Sequence, residues 1–324
     1  NQHIGFKYVH KDYIRDIKEG RCKIVIYFNN EGTSGTDEYP DFEIVEKWRK
    51  KADLPIDSII FITGNHLGPE IQKDRNYGYK IIPYSDFELW NYQYTQESII
   101  DFTPIDSRYL FLSYNRNIRL PRLYLLANLL KEGLIHKGMV SISQHKHVRY
   151  SNISMLEEKY YRELADISPL ILNDDLNYNL APNVNIEDHK KTFISIVTES
   201  LVSEKSLFLS EKIWKPIQLG HPFMVLGNPG TLELLKQQGY QTFSKWVNEE
   251  YDKVLNFGER ANIICREIIR FSKLPLDEIK AIRKEMEPVL THNLKVFKAN
   301  LNKNFDVDRT ISTKLHNILQ KYVD

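Results

Sequence analysis

Cysteine is nearly absent: the chain of 324 residues has two, Cys22 and Cys265. They stand far apart without metal-ligand spacing, which points to two reduced thiols in a reducing compartment, a single bridge between them being the alternative. A charge excess is missing as well. With 44 Lys and Arg against 43 Asp and Glu, the net charge is +1, so no global field draws the chain to nucleic acid or to an acidic membrane. A local basic cleft is still compatible with this balance, and so is a nucleic-acid partner, although charge does not indicate one. No run comes near the roughly 18 apolar residues of a membrane span, and the opening NQHIGFKYVHKDY lacks the apolar core of a signal peptide. As it stands the chain reads as cytoplasmic; it starts at Asn1 rather than Met, which leaves room for an upstream anchor.

What is present is the balance of a folded protein, 42% hydrophobic and 27% charged residues. The length suits two α/β domains of roughly 100–200 residues each, or one large barrel. Short β-branched runs recur, each followed by a turn and a helical pattern, the alternation of parallel sheets with crossover helices. KIVIYF (23–28), IIFIT (59–63) and KIIPY (80–84) predict a small Rossmann-like sheet, with a Trp48-containing helix between the first two. RYLFLS (108–113), MVSI (139–142), FISIV (193–197) and PFMVL (222–226) predict a second, with a domain boundary near Thr103 to Asp106. Within it SMLEEKYYRELADI places Met155, Leu156, Tyr160 and Leu164 on a helical face, with Ser154 as its N-cap. From Glu249 onward the pattern is helical, ending in a stripe of Ile311, Leu315, Ile318 and Tyr322.

The segment richest in chemistry is VTES (197–200) followed by LFLSEKIWKPIQLGHPFMVLGNPGTLELL (207–235). Ser210 can cap a helix whose first turns hold Glu211, Lys212 and Lys215 and whose end is marked by Gly220. Pro216 removes a backbone donor inside that helix and is expected to kink or shorten it. A helix N-terminus with lysines beside it suits a diphosphate, and a carboxylate there can bind ribose hydroxyls. PFMVLGNPG then reads as a buried strand ending in a glycine loop, Gly227 and Asn228 among it, at the strand end where open α/β sheets bind ligands. The same features also describe a capped helix joined to a core strand and nothing more.

VTES and FLSEKIWKPIQLGHPFMVLG together resemble the paired motif of α1,3-fucosyltransferases and of related bacterial and phage glycosyltransferases. In those enzymes the pair binds a guanine nucleotide sugar, its Glu and Lys contacting ribose and phosphate; Glu199, Glu211 and Lys212 match. A second stretch, LFLSYNRNIRLPRLYLLANLLKEGLI (110–135), is similar to the strand of that family that precedes an Arg-rich turn and helix. Its Arg-x-x-Arg matches Arg119 and Arg122, with Arg116 a further candidate, and a guanidinium fork can engage phosphate oxygens bidentately. The alternative is that these arginines solvate the mouth of a turn. The resemblance spans roughly Arg108 to Phe243, and His221-Pro222-Phe223 departs from it by replacing small residues before the strand.

The resemblance implies an α/β protein of two Rossmann-like domains (GT-B): an acceptor domain over 1–105, a nucleotide-sugar donor domain over 106–270, and terminal helices over 271–324 packing across both. The implied activity is transfer of a sugar from a nucleotide sugar, a GDP-sugar favoured, to a carbohydrate or other hydroxyl acceptor, with inversion and without a metal or other cofactor. Arg119, Arg122 and Lys212, helped by Lys215, would neutralise the leaving diphosphate. Ser210, Glu211, Gly227 and Asn228 complete the donor set. Inversion needs a base for the acceptor hydroxyl; Glu31, in NNEGTSGTDE after the first strand, is the candidate, with Asp37, Glu38 and His66 as rivals. His145 and His147 in HKH lack a third metal partner, Asp306 and Asp308 in DVD fit helix capping, and Asp174 and Asp175 end an apolar run. Alternatives are a retaining or nucleobase-directed transferase and a catalytically silent nucleotide- or sugar-binding protein.

Overall fold

The computed structural model describes residues 9–28, 41–84, 109–144, 156–172 and 185–305. Two compact units divide the chain: Asn1–Asp86 with Lys205–Phe208 and Asn304–Asp324, and Phe87–Glu204 with Leu209–Lys303. The boundary expected near Thr103 to Asp106 lies outside the described residues, as do Ser154, Met155 and the stripe from Ile311 to Tyr322. No described helix is long and apolar enough to cross a membrane.

The first unit alternates α1 (Lys11–Lys18), β1 (Ile24–Phe28), α2 (Asp41–Ala52), β2 (Ile59–Thr63), α3 (Gly68–Asp74) and β3 (Lys80–Pro83). Its sheet is parallel with order β1-β2-β3, Ile24 lying opposite Ile59 and Ile60 opposite Lys80. Every residue of IIFIT is buried, as a central parallel strand covered on both faces requires. Phe42 and Val45, three apart on α2, close one face over Ile59, Phe61 and Tyr79. The Phe61 ring meets Phe42 and Tyr79 edge-on, both at 4.9 Å between centroids, the preferred geometry of aromatic pairs. On the same helix Glu46 takes a forked pair of hydrogen bonds from Arg49 at 2.8 and 2.9 Å and accepts the Tyr79 hydroxyl. The Arg49 guanidinium first, and Tyr79 with it, pull the Glu46 carboxyl down to about 2.

The second unit holds β4 (Tyr109–Asn115), α4 (Leu120–Lys131), β5 (Gly138–Ile142), α5 (Glu158–Ile167), α6 (Ile186–Lys190), β6 (Thr192–Thr198), α7 (Glu211–Leu219), β7 (Phe223–Leu226), α8 (Thr231–Gln237), α9 (Phe257–Ser272) and all but the last two residues of α10 (Leu276–Phe305). Its sheet is parallel with order β5-β4-β6-β7. The chain therefore winds outward from β4 through α4 to β5, returns to the other side of β4 as β6, and winds outward again through α7 to β7. That reversal makes a topological switch point between β4 and β6, and the crevice beyond their C-terminal ends is the standard ligand position of such sheets.

Helix α5 begins at Glu158 with Glu157 at its N-cap, so Leu156 precedes the helix. Its buried positions are Tyr161, Leu164 and Ala165; Tyr160 is half-buried. Cys22 and Cys265 are both free thiols.

Candidate functional site

Helix α7 starts where the sequence places it. Ser210 Oγ accepts the Lys212 N–H at 3.3 Å, and Gly220 ends the helix in the left-handed region at φ 64°, a conformation that a Cβ disfavours. Pro216 lies within the nine residues of α7, and the helix runs three residues beyond it. Ser210 also turns its hydroxyl hydrogen onto Glu199, whose two oxygens lie 2.8 and 2.6 Å away. Glu199 is 1% exposed; its own N–H is held by Leu226 O at 3.0 Å, which fixes it at the end of β6. Lys212 Nζ lies 2.8 Å from Glu211, 3.2 Å from Ser210 Oγ and 3.6 Å from Glu199. Thus Glu199, Ser210, Glu211 and Lys212 form one cluster. Gly227 closes against it: a Cβ there would meet Thr231 Oγ1 and Val225 Cγ1 at 3.1 Å and Glu199 Cγ at 3.4 Å. Asn228 is buried and donates from Nδ2 to Ser203 O at 2.9 Å, tying the glycine loop to the segment after β6.

The three arginines separate. Arg122, 3% exposed, donates to Asn117 O at 2.9 Å and to Thr198 O at 3.0 Å, so it binds the turn after β4 to the end of β6. Arg119 occupies the N-cap position of α4 with its side chain exposed, and Arg116 is exposed one residue beyond β4. Glu31, Asp37 and Glu38 lie outside the described residues, as do His145, His147, Asp174, Asp175, Asp306 and Asp308. His66 stands in the turn after β2, its N–H donating to Leu207 O at 2.8 Å. Among the described residues no three His, Cys, Asp or Glu side chains cluster as a metal site.

The switch point carries polar residues that sequence reasoning passed over. Thr198 Oγ1 donates to Asn115 Oδ1 at 2.6 Å, and Asn115 Nδ2 donates to Ser113 Oγ at 2.9 Å, joining the ends of β4 and β6. A cavity of about 50 Å³ opens beside them, lined by Tyr114, His189, Ser195, Thr198, Lys212 and Lys215 over an apolar wall. Burial pulls the Lys215 ammonium down to about 8, with Glu211 acting in the opposite direction and Lys212 adding to the lowering. His189 Nδ1 faces Asn185 O at 2.7 Å, so that nitrogen carries the proton, and burial pulls its pKa down to about 4. His221 donates from Nε2 to Thr192 O at 2.9 Å and accepts the Ser195 hydroxyl at 3.0 Å; burial holds it well below the usual imidazole range. The His189 and His221 rings meet edge-on at 5.2 Å. His221, where the resemblance calls for a small residue, thus bonds Thr192 and Ser195 of β6 and packs on His189. His189, in the polar run NVNIEDHKKT, gave no local signal.

No protein-family model matches the chain, and no curated protein sequence matches it.

Proposed function

We propose that this protein is a glycosyltransferase of the two-Rossmann-domain (GT-B) kind. In this reading the second unit binds a nucleotide sugar, a GDP-sugar favoured, and the sugar passes with inversion and without a metal ion to a hydroxyl acceptor. The observation that carries the reading is the convergence of Glu199, Ser210, Lys212 and Lys215 on the switch point between β4 and β6. A nucleotide needs such a position: backbone donors of a capped helix start, mobile cations for phosphate and a fixed carboxylate for ribose hydroxyls. Glu199 and Glu211 orient ribose or sugar. Lys212 and Lys215, with Arg119 exposed at the start of α4, meet the charge that grows on the departing diphosphate. Arg122 acts by holding the turn that presents Arg119, since its own donors serve Asn117 and Thr198. Glu31, three residues past β1 in the chain, is the proposed base for the acceptor hydroxyl.

Thermal unfolding in the presence of GDP, UDP, CMP and dTDP, each with and without EDTA, tests the reading, because a ligand that binds the native state raises apparent stability by mass action. Selective stabilisation by GDP, unaltered by EDTA, is expected. Absence of stabilisation by all four at millimolar concentration overturns it. Glu31→Gln is expected to lower kcat at least about 100-fold, the usual worth of a general base, while leaving GDP affinity unchanged.

A further inference from the structure

The cavity beside Lys215 differs in kind from the Glu199–Ser210–Lys212 cluster above it. Its described charged lining consists of Lys212 and Lys215. Lys212 is engaged with Glu199 and Glu211, whereas Lys215 Nζ has no hydrogen bond or ion pair among the described residues. The other polar walls are already committed: Tyr114 donates its hydroxyl to Asp188 at 2.7 Å, Ser195 bonds His221, and Thr198 donates to Asn115. A part-buried cation that no described carboxylate meets within ion-pair distance is costly unless something anionic completes it. A volume of about 50 Å³ holds about four water molecules. That is room for a single tetrahedral oxyanion.

We propose that this cavity is an oxyanion subsite, taking one phosphoryl or sulfate-like group against the Lys215 ammonium, with Leu112, Ile196, Val197 and Pro216 excluding water around it. The subsite stands on the cavity itself; only the identification of its occupant as a phosphate of the donor rests on the nucleotide-sugar reading. Among the described residues, the titratable and charged groups around Lys215 are Glu211 and Lys212 on its own helix, Asp188 and His189 on α6, Tyr114 on β4, and His221 against the His189 ring. Tyr114 is held neutral by burial first and then by Asp188, and both imidazoles are neutral above pH 6.5. Between pH 7 and 9.5 the Lys215 ammonium, pulled down to about 8 by burial, loses its charge.

Sulfate is the probe, because it stays a dianion throughout that range, whereas orthophosphate titrates within it. Calorimetric titration of the full chain at constant ionic strength is expected to show saturable binding at pH 7. At pH 9.5 that binding should be about 30-fold weaker, as Lys215 loses its proton near pH 8, and Lys215→Met should abolish it at both pH values. Lack of saturable binding, binding indifferent to pH, or binding unchanged in Lys215→Met overturns the proposal. Should that variant not fold, the pH comparison on the natural chain decides alone. Displacement of sulfate by GDP identifies the occupant as a donor phosphate; simultaneous binding identifies a separate oxyanion, and either upholds the subsite. GDP binding without sulfate binding sinks the subsite and spares the donor reading, while sulfate binding without any nucleotide binding does the reverse.

Discussion

Arg119 and Arg122 sit three positions apart and look alike in sequence, yet they do different work. Arg122 is buried and its guanidinium spans two main-chain carbonyls, those of Asn117 and Thr198. Removing a buried charged donor strands its acceptors, each at a cost of about 1–3 kcal/mol. Arg122→Met is therefore expected to lower unfolding free energy in urea by about 3 kcal/mol. Arg119 is exposed at the N-cap position of α4, so Arg119→Ala should change stability by less than about 0.5 kcal/mol and weaken GDP binding in calorimetry. The opposite pattern, with Arg119 structural and Arg122 dispensable to the fold, contradicts the assignment. The pairing Arg-x-x-Arg was legible in the sequence; which member faces solvent was not, because burial of Arg122 depends on β6, whose Thr198 is 76 positions away.

At the scale of elements, α7 is the best-determined part of the site. Its boundaries are local matters: a serine that can accept an N–H at one end, and a glycine that tolerates positive φ at the other. The cluster at its start is tertiary, since the Ser210 hydroxyl serves Glu199, 11 residues earlier. Ser210→Ala loses a cap, costing about 0.5–2 kcal/mol, and also leaves the buried Glu199 carboxylate short of a donor. An unfolding free energy lower by about 2–3 kcal/mol is expected in denaturant titration. Gly227→Ala forces Thr231, Val225 or Glu199 to give way; a loss of about 1–3 kcal/mol and weaker GDP binding are expected, both read from thermal unfolding with and without nucleotide. Where α5 begins could not be read so well. The apolar spacing ran back through Leu156 and Met155, but backbone geometry at Glu157 sets the helix start.

For the whole molecule, the two units contribute different pH dependences. In the second unit His189 and His221 are buried and neutral, their pKa values pulled below 6.5 by desolvation. The unfolded chain protonates near 6.5 while the folded one does not, so stability declines as pH falls from 6.5 toward 4. In the first unit the Glu46 carboxyl, lowered by Arg49 from 4.5 to about 2, adds stability at neutral pH that disappears as pH falls from 4.5 through 2. That contribution amounts to about 3 kcal/mol. Thermal unfolding followed across pH is expected to fall in both windows, and Glu46→Gln should flatten the lower one alone. By itself the sequence determined the parallel α/β character, the individual strands, and the caps of α7, because β-branched runs, turn residues and capping side chains act over a few positions. Only the tertiary structure decided the strand order β5-β4-β6-β7. That order follows from where each crossover returns to the sheet, which local periodicity does not encode. It brings Asn115 to Thr198, 83 positions apart, turns Arg122 inward and sets His189 and Lys215 around one cavity.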